Sequence, residues 1–136
     1  GTFRNLQERN IQEGLLHPEN YILDEENAEK IRDCKKNGGR IIAVGTTSTR
    51  CLESIAIRHG EIVPESAITR LFIRDSFPFQ VIDGLLTNFH LPMSSLLMLV
   101  CAFGGREKVM AAYKHAVSNK YRFYSYGDAM LLGPKF

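Results

Sequence analysis

The amino-acid sequence predicts an α/β fold, and three features of its first half support that prediction. Residues 25–36 have helical periodicity and are followed by a glycine pair. The short apolar run "RIIAV", residues 40–44, predicts a buried strand. The turn "GTTST" then leads into a second helical segment, residues 49–59. A helix, a strand, a glycine turn and a helix in this order are typical of an α/β sheet.

The first predicted helix carries a signal at each end. The Asp24 side chain can cap its N-terminus, and Glu25 and Glu26 suit the positive end of the helix dipole. Gly38 and Gly39 end the helix, because glycine readily adopts the backbone conformation that follows a last helical turn. The apolar face of this helix consists of Ala28, Ile31 and Cys34.

The second half of the chain predicts further strands and helices. Short runs rich in apolar and aromatic residues predict strands over residues 68–73, 79–83 and 121–125. Helical periodicity predicts helices over residues 94–102 and 107–118. The second half of the chain therefore also predicts a mixture of helices and strands.

Composition and charge restrict the class of protein. A chain of 136 residues, 44% hydrophobic and 24% charged, suffices for one globular domain with a core. The net charge of +2 neither requires nor opposes binding to a polyanion. No apolar run reaches the roughly 18 residues of a membrane span. Three cysteines without CxxC spacing predict a reducing, cytoplasmic location.

The segment "AVGTTSTR" leaves the first predicted strand and opens the second predicted helix. The backbone amides of such a turn and the helix dipole favour an anion. Thr46, Thr47 and Ser48 add hydroxyl groups, and Arg50 adds a cation. The segment lacks the lysine and spacing of a P-loop. It is either an anion site that begins at Gly45 or a capped turn with Arg50 on the surface.

The segment "LLHPENY" places an imidazole close to a carboxylate. His17 and Glu19 could form an acid/base pair, or they could belong to a solvated loop. The four histidines of the chain show no HxH or HExxH spacing, so no metal site is predicted.

The segment "TNFHLPMSS" sets a polar cluster against an apolar helix. Pro92 fixes the backbone ahead of that helix, and Ser94 or Ser95 can cap it. Asn88 and His90 are therefore expected on a rigid loop, where the positive end of the helix dipole lowers the pKa of His90. The alternative is a buried, hydrogen-bonded histidine with Asn88 capping a turn.

The segment "YRFYSYGDAM" combines four aromatic residues with Arg122 and Asp128. Aromatic side chains near cations can stack on nucleic-acid bases. The alternation also suits a half-buried strand. Asp128, directly after a glycine, is either a turn residue or a carboxylate of the site.

In their order, these segments resemble the C-terminal part of a known family, the S-adenosylmethionine:tRNA ribosyltransferase-isomerases of queuosine biosynthesis. The resemblance runs from Gly1 to about Leu131. It rests on "GTF", "LHPENY", "RIIAVGTTSTRCLES", "LFI", "VIDGLLTNFHLPMSSLLMLVCAFGG", "AYKHAV" and "YRFYSYGDAML". "TNFHLP" with its apolar helix and "YRFYSYGDAM" are its most specific motifs.

The resemblance implies a domain that is incomplete in this sequence. Residues 1–136 would form the C-terminal half of a mixed α/β core domain, the catalytic domain of the family. The family's N-terminal segment and its inserted β-barrel domain would be absent. We therefore expect apolar surface where the remainder of the enzyme packs.

The resemblance also implies an enzymatic reaction. The family transfers and isomerises the ribosyl part of S-adenosylmethionine onto 7-aminomethyl-7-deazaguanine at the tRNA wobble position. Epoxyqueuosine remains on the tRNA, while adenine and methionine leave. S-adenosylmethionine is then a cosubstrate, and no metal, prosthetic group or membrane is involved. The implied partners are tRNA, S-adenosylmethionine and the remainder of the same enzyme.

The candidate site residues follow from the matched motifs. His90, His17 and Glu19 are the catalytic candidates, and the base among them is left open. The candidates for substrate binding are Gly45, Thr46, Thr47, Ser48, Arg50, Asn88, Ser94, Ser95 and Asp128. Residues 45–48, residues 88–90 and the side chains of His17 and Glu19 are expected to converge on one cleft, because the strand-to-helix turns of a sheet gather at its carboxyl edge.

Two departures from the family pattern stand out. Met93, Ser94 and Ser95 occupy positions where the family usually has Lys-Ser-Thr, so one positive charge near the site is lost. Residues 74–79 replace a Pro-Gly-Tyr-like turn.

Two other functions compete with the enzyme: a non-catalytic RNA-binding or structural fragment, and a Rossmann-like methyltransferase, which the missing GxG turn disfavours.

Overall fold

A computed structural model describes residues 15–133 of the chain. In chain order, its elements are β1 (Leu15–Leu23), α1 (Glu25–Lys36), β2 (Ile42–Val44), α2 (Thr46–His59), β3 (Glu65–Leu71), β4 (Gly84–Asn88), α3 (Ser95–Gly104), α4 (Arg106–Ser118) and β5 (Ala129–Leu132). The mixed α/β fold that the sequence predicts is confirmed. None of the helices in the described part is long and apolar enough to cross a membrane.

A three-stranded sheet in the order β2-β4-β5 forms the centre of the fold. Strands β2 and β4 are parallel, and β5 is antiparallel to β4. Ala43, Leu85 and Leu132 lie side by side on one face and are buried. Because β2 and β4 are parallel, their carboxyl ends meet at the same edge of the sheet.

Helices cover the buried face of this sheet. The apolar residues of this face form one core cluster with Ile55 of α2, Val100 of α3 and Val109 of α4. Each of these three helix residues is at most 2% exposed. Gly104, at the end of α3, lies so close to Leu132 that a methyl group there would collide with it. The end of α3 therefore packs tightly against β5.

Strands β1 and β3 form a separate antiparallel pair. The interpretation of residues 15–21 as a solvated loop is wrong, because these residues belong to β1. Proline cannot donate a ladder hydrogen bond, and Pro18 lies where the register shifts, between Leu15 and Glu19. That irregularity allows the strand to contain a proline.

The four predicted helices are present. Helix α1 has the predicted bounds, and the Asp24 side chain accepts a hydrogen bond from the Asn27 amide at 2.8 Å. Helix α2 begins at Thr46, three residues before the predicted start, because the preceding Gly45 turns the chain directly into the helix. The other two helices agree within two residues, and strands β2 and β3 overlap the predicted ranges 40–44 and 68–73.

The predicted strand over residues 79–83 is wrong. The amides of Gln80, Val81 and Ile82 donate to the buried carboxylate of Glu53 at 2.8, 2.9 and 3.1 Å. These donors are thus used by a side chain of α2 and cannot pair with a neighbouring strand. The strand begins afterwards, at Gly84.

The predicted strand over residues 121–125 is also wrong. Tyr124 has a φ angle of 71°, which no regular strand contains. The Arg122 amide donates to the Asp128 carboxylate, and the Asp128 amide donates to the Arg122 carbonyl, each at 2.7 Å. Residues 121–128 therefore form a closed turn, named here the aromatic turn, and the strand follows it.

Candidate functional site

A pocket of about 340 Å³ opens at the carboxyl ends of β2 and β4. Its polar groups are Thr46 and Thr47 from the start of α2, Thr87, Asn88 and His90 from the end of β4 and beyond, and Ser125 from the aromatic turn. Apolar side chains, among them Leu96 of α3, complete the walls. A sheet edge between parallel strands is where α/β proteins commonly bind ligands.

The N-terminus of α2 forms one side of the pocket. Gly45, with φ of 93°, precedes the helix and offers no side-chain cap. The Gly45 amide donates to the Leu86 carbonyl at 2.8 Å, which fixes this turn to β4. The first backbone amides of the helix lack partners within the helix, and the dipole is positive there. This wall favours a negatively charged or oxygen-rich group.

His90 contributes a neutral imidazole. It is 5% exposed, and its Nε2 shares a hydrogen bond of 2.8 Å with the Thr87 hydroxyl. Its backbone amide donates to the Tyr113 hydroxyl at 2.9 Å. Burial lowers the pKa of His90 to about 4, so the ring carries no charge at neutral pH. The lowering that the sequence predicts is present, but its main cause is burial.

The aromatic turn forms the third side of the pocket. The Asn88 side-chain amide donates to the Asp128 carbonyl at 3.1 Å, and the Tyr124 amide donates to the Phe89 carbonyl at 2.9 Å. These two bonds attach the turn to the end of β4. Ser125 and Ala129 thereby become part of the pocket wall.

A family model described as "Queuosine biosynthesis protein" matches residues 1–132 of the chain. The chain belongs to this family. Curated relatives support the membership. The S-adenosylmethionine:tRNA ribosyltransferase-isomerase of Caldanaerobacter subterraneus subsp. tengcongensis is 55% identical over 132 residues, and the protein of the same name from Nitrosomonas eutropha is 55% identical over 133 residues.

The match covers most of this chain and a smaller share of each relative. It spans 97% of the chain but 39% of the first relative and 38% of the second. A crystal structure of S-adenosylmethionine tRNA ribosyltransferase from Thermotoga maritima is similar with a TM-score of 0.74 at 50% identity. That similarity covers 82% of this chain and 39% of the other. The chain thus spans about two fifths of the length of these relatives.

Several residues that the family motifs point to lie together. Gly45, Thr46 and Thr47 line the pocket, as do Asn88 and His90. Asn88 belongs to strand β4 rather than to the predicted loop. Ser48 is exposed and is not among the lining residues.

Glu19 and Arg50 are not among the residues that line the pocket, and they interact with each other. The Arg50 Nη1 atom lies 3.1 Å from the Glu19 carboxylate, and its Nε donates to the Leu71 carbonyl at 2.9 Å. The interpretation of Arg50 as a surface residue is wrong, because it is 4% exposed. Burial lowers its pKa, and the Glu19 carboxylate opposes that effect. The side chain of His17 lies outside the described residues.

Three further candidates have structural contacts. The Ser94 hydroxyl caps α3, accepting from the Leu97 amide at 3.1 Å and donating to the Leu91 carbonyl at 2.7 Å. Ser95 begins the helix and is not among the residues that line the pocket. The Asp128 carboxylate closes the aromatic turn, which agrees with its interpretation as a turn residue.

Two buried polar residues were not proposed as site residues from the sequence. Thr87 contacts His90 and is 5% exposed. Period-two alternation places it on the same face of β4 as the buried Leu85, which is the signal that could have found it. Glu53 is fully buried, and its position among the apolar residues of "CLESIAI" marks it as unusual. Within residues 15–133, no group of three potential ligands could hold a metal ion.

Proposed function

We propose that this chain forms part of the active site of an S-adenosylmethionine:tRNA ribosyltransferase-isomerase. The enzyme would transfer and isomerise the ribosyl part of S-adenosylmethionine onto 7-aminomethyl-7-deazaguanine at the tRNA wobble position, and epoxyqueuosine would result. The names of the relatives support the reaction class. The observation that carries the proposal is that the start of α2 and the end of β4, both within family motifs, line one pocket.

The start of α2 suits the polar part of S-adenosylmethionine. Backbone amides at the positive end of a helix bind a carboxylate, and the Thr46 and Thr47 hydroxyls suit a carboxylate or ribose oxygens. Gly45 lets a ligand approach the backbone because it has no side chain. We assign the methionine carboxylate or a ribose hydroxyl to this side of the pocket.

His90 and Thr87 suit a role in hydrogen bonding rather than in proton transfer. A base works best when its pKa is near the working pH, and a pKa of about 4 is too low for efficient proton abstraction at pH 7. A neutral imidazole can instead orient the ribose or the departing adenine. We therefore propose His90 as an orienting hydrogen-bond partner of the cosubstrate.

The base of the reaction then comes from elsewhere in the enzyme. The sulfonium of S-adenosylmethionine acidifies the ribose C5′ carbon, so a base can take that proton before adenine and methionine leave. His90 is the only titratable side chain that lines the pocket in the described part of the chain. We assign the base to residues outside this wall, where His17 remains a candidate.

A substitution of His90 tests this function. In the complete protein that contains this chain, His90→Ala should strongly lower the rate of epoxyqueuosine formation. The melting temperature should change much less in proportion. Loss of one directed donor at an oxyanion typically costs about 10² to 10³ in kcat, and an orienting bond is expected to cost less. The product is measured by mass spectrometry of nucleosides from the digested tRNA. His59→Ala is the matched control, because His59 is exposed at the other end of α2.

The outcomes separate the competing functions. Normal epoxyqueuosine formation by His90→Ala would contradict the site assignment. Binding of tRNA by the unsubstituted protein without any epoxyqueuosine would contradict the enzyme and favour an RNA-binding piece. Loss of activity in the His59→Ala control would show that histidine removal acts through folding.

A further inference from the structure

The aromatic turn presents tyrosine side chains to solvent beside the pocket. Tyr126 is 100% exposed, and Tyr124 and Tyr121 are 43% and 41% exposed. The tyrosine ring is large and apolar, and it stabilises a fold only where it is buried. A fully exposed tyrosine therefore contributes no burial energy to the fold. An exposed aromatic side chain next to a ligand pocket is therefore a candidate contact for a partner.

The backbone that carries Tyr126 is held in one conformation. The Gly127 amide donates to the Tyr124 carbonyl at 2.9 Å, and the paired bonds between Arg122 and Asp128 close the turn. A methyl group on Gly127 would lie 2.4 Å from the Arg122 carbonyl oxygen, so the turn closes too tightly for a larger residue. Little backbone entropy remains to be lost when a ligand binds Tyr126.

Aromatic packing anchors the same turn to the core. The Phe123 ring stacks on the ring of the buried Phe89, with centroids 5.1 Å apart and planes at 27°. The Tyr113 ring meets Phe123 edge-on at 5.8 Å. One side of the turn is thus fixed in the core, and Tyr126 lies on the open side.

Tyr126 is one residue away from the pocket wall in the chain. Ser125, its neighbour in the chain, lines the pocket, and consecutive Cα atoms are about 3.8 Å apart. The Asn88 side chain also ties the turn to the pocket floor. A group that stacks on Tyr126 would therefore adjoin whatever occupies the pocket.

The charges of the turn suit a polyanion. Lys120 and Arg122 are both exposed within it or at its start. Its one acidic residue, Asp128, uses its carboxylate to accept the Arg122 amide. Cations beside an exposed ring are typical of surfaces that bind single-stranded nucleic acid, where bases stack and phosphates meet positive charge.

We propose that Tyr126 is a stacking platform for an unpaired RNA base, the nucleotide next to the one whose base enters the pocket. This proposal rests on the proposed function and adds a substrate-positioning residue to it. A tRNA anticodon loop supplies such a base, because its nucleotides are unpaired. RNA is favoured over a protein partner, because the exposed tyrosines share this segment with the exposed cations Lys120 and Arg122, while its one carboxylate accepts a hydrogen bond within the turn.

The test compares three substitutions in the complete protein that contains this chain. Tyr126→Ala removes the ring, Tyr126→Phe keeps it, and Ile57→Ala removes an exposed apolar side chain from α2. The probe is an anticodon stem-loop RNA with 2-aminopurine beside the wobble position. Affinity is measured by fluorescence anisotropy, stacking by quenching of 2-aminopurine, and KM separately for tRNA and for S-adenosylmethionine.

The expected result is specific to RNA. Tyr126→Ala should weaken RNA binding about 5- to 150-fold, the range of one base–aromatic stack, and should abolish the quenching. It should raise KM for tRNA and leave KM for S-adenosylmethionine and the melting temperature unchanged. Tyr126→Phe and Ile57→Ala should behave as the unsubstituted protein.

Each contrary outcome has a defined meaning. If the unsubstituted protein forms epoxyqueuosine and Tyr126→Ala binds RNA equally well, the platform is overturned and the proposed function stands. If the unsubstituted protein binds no RNA, the stacking platform and the proposed function are both overturned. An equal loss of affinity in Tyr126→Phe would also overturn stacking, because the ring would still be present.

Discussion

At the scale of single residues, the environment of His90 determines what it can do. The sequence places a histidine ahead of an apolar helix, where either a site residue or a core residue is plausible. The structure gives it properties of both, since it is 5% exposed and also lines the pocket. Its hydrogen bond with Thr87 holds the ring, and its low pKa keeps it neutral.

The buried, neutral His90 predicts how stability depends on pH. Its pKa is about 4 in the folded protein and 6.5 in the unfolded chain, so only the unfolded chain binds this proton between those values. The free energy of unfolding should therefore fall as pH decreases from 6.5 to 4. At about 1.36 kcal/mol per pKa unit, His90 accounts for about 3 kcal/mol of that fall.

Urea-induced unfolding at pH 7, 5.5 and 4.5 measures this dependence. His90→Gln serves as the reference, because it keeps a polar side chain and does not titrate. The free energy of unfolding of the unsubstituted protein minus that of His90→Gln should decrease steadily towards low pH. A constant difference over this range would contradict the low pKa of His90.

At the scale of elements, polar side chains fix helix ends and connecting segments. The Ser94 hydroxyl begins α3, and the Glu53 carboxylate of α2 holds the connection before β4. Arg50 links α2 to the β1–β3 pair through Glu19 and the Leu71 carbonyl. These contacts explain why several charged or polar residues of the family motifs are buried without touching the pocket.

The cap of α3 gives a prediction with a neighbouring control. Ser94→Ala should lower the free energy of unfolding by about 1 kcal/mol, because the Leu97 amide loses its acceptor. Ser95→Ala should change it by less than about 0.5 kcal/mol, because Ser95 is not the capping residue. Denaturant unfolding measures both. Equal effects at the two positions would contradict the capping role.

The Glu53 carboxylate predicts a larger effect. Glu53→Ala leaves three backbone amides without their acceptor, and each buried unsatisfied donor costs about 1–3 kcal/mol. We expect a loss of about 3 kcal/mol or more in the free energy of unfolding. Glu53→Gln should lose less, because its amide oxygen still accepts. Hydrogen exchange of the Gln80, Val81 and Ile82 amides should accelerate in Glu53→Ala, and unchanged exchange would contradict this role.

At the scale of the whole molecule, one face of the central sheet is buried, and the apolar residues of the other face are largely exposed in the part of the chain that the structure describes. Val44, Leu86 and Leu131 lie opposite one another across three strands and are 67%, 37% and 60% exposed. Ile42 extends this apolar row. Sheets with parallel strands normally bury both faces. The sequence predicts such an apolar surface, and the chain spans 39% of the length of its first relative.

The open face predicts the behaviour of the isolated chain. We expect a protein of these 136 residues to bind the dye 1-anilinonaphthalene-8-sulfonate and to self-associate, because the apolar row remains in contact with water. The double substitution Ile42→Thr and Leu131→Thr should reduce both, since threonine suits a strand and is polar. Dye fluorescence and sedimentation velocity measure the effect. A monomer without dye binding would contradict this prediction.

The sequence by itself determined the helices, the glycine turn ahead of α2 and the family. Helices are predictable because their hydrogen bonds and caps involve residues within about four positions, as in the cap of α1 by Asp24. The clustering of Gly45, Thr46 and Thr47 with Asn88 and His90 was also predictable, because parallel strands end at one edge.

Only the tertiary structure decided the strands of the second half and the roles of the charged residues. Residues 79–83 resemble a strand, but the distant Glu53 binds their amides. Arg50 resembles an anion ligand, but Glu19 of another strand pairs with it. Strands and ion pairs are completed by partners far away in the chain, so the local pattern cannot specify which partner is bound.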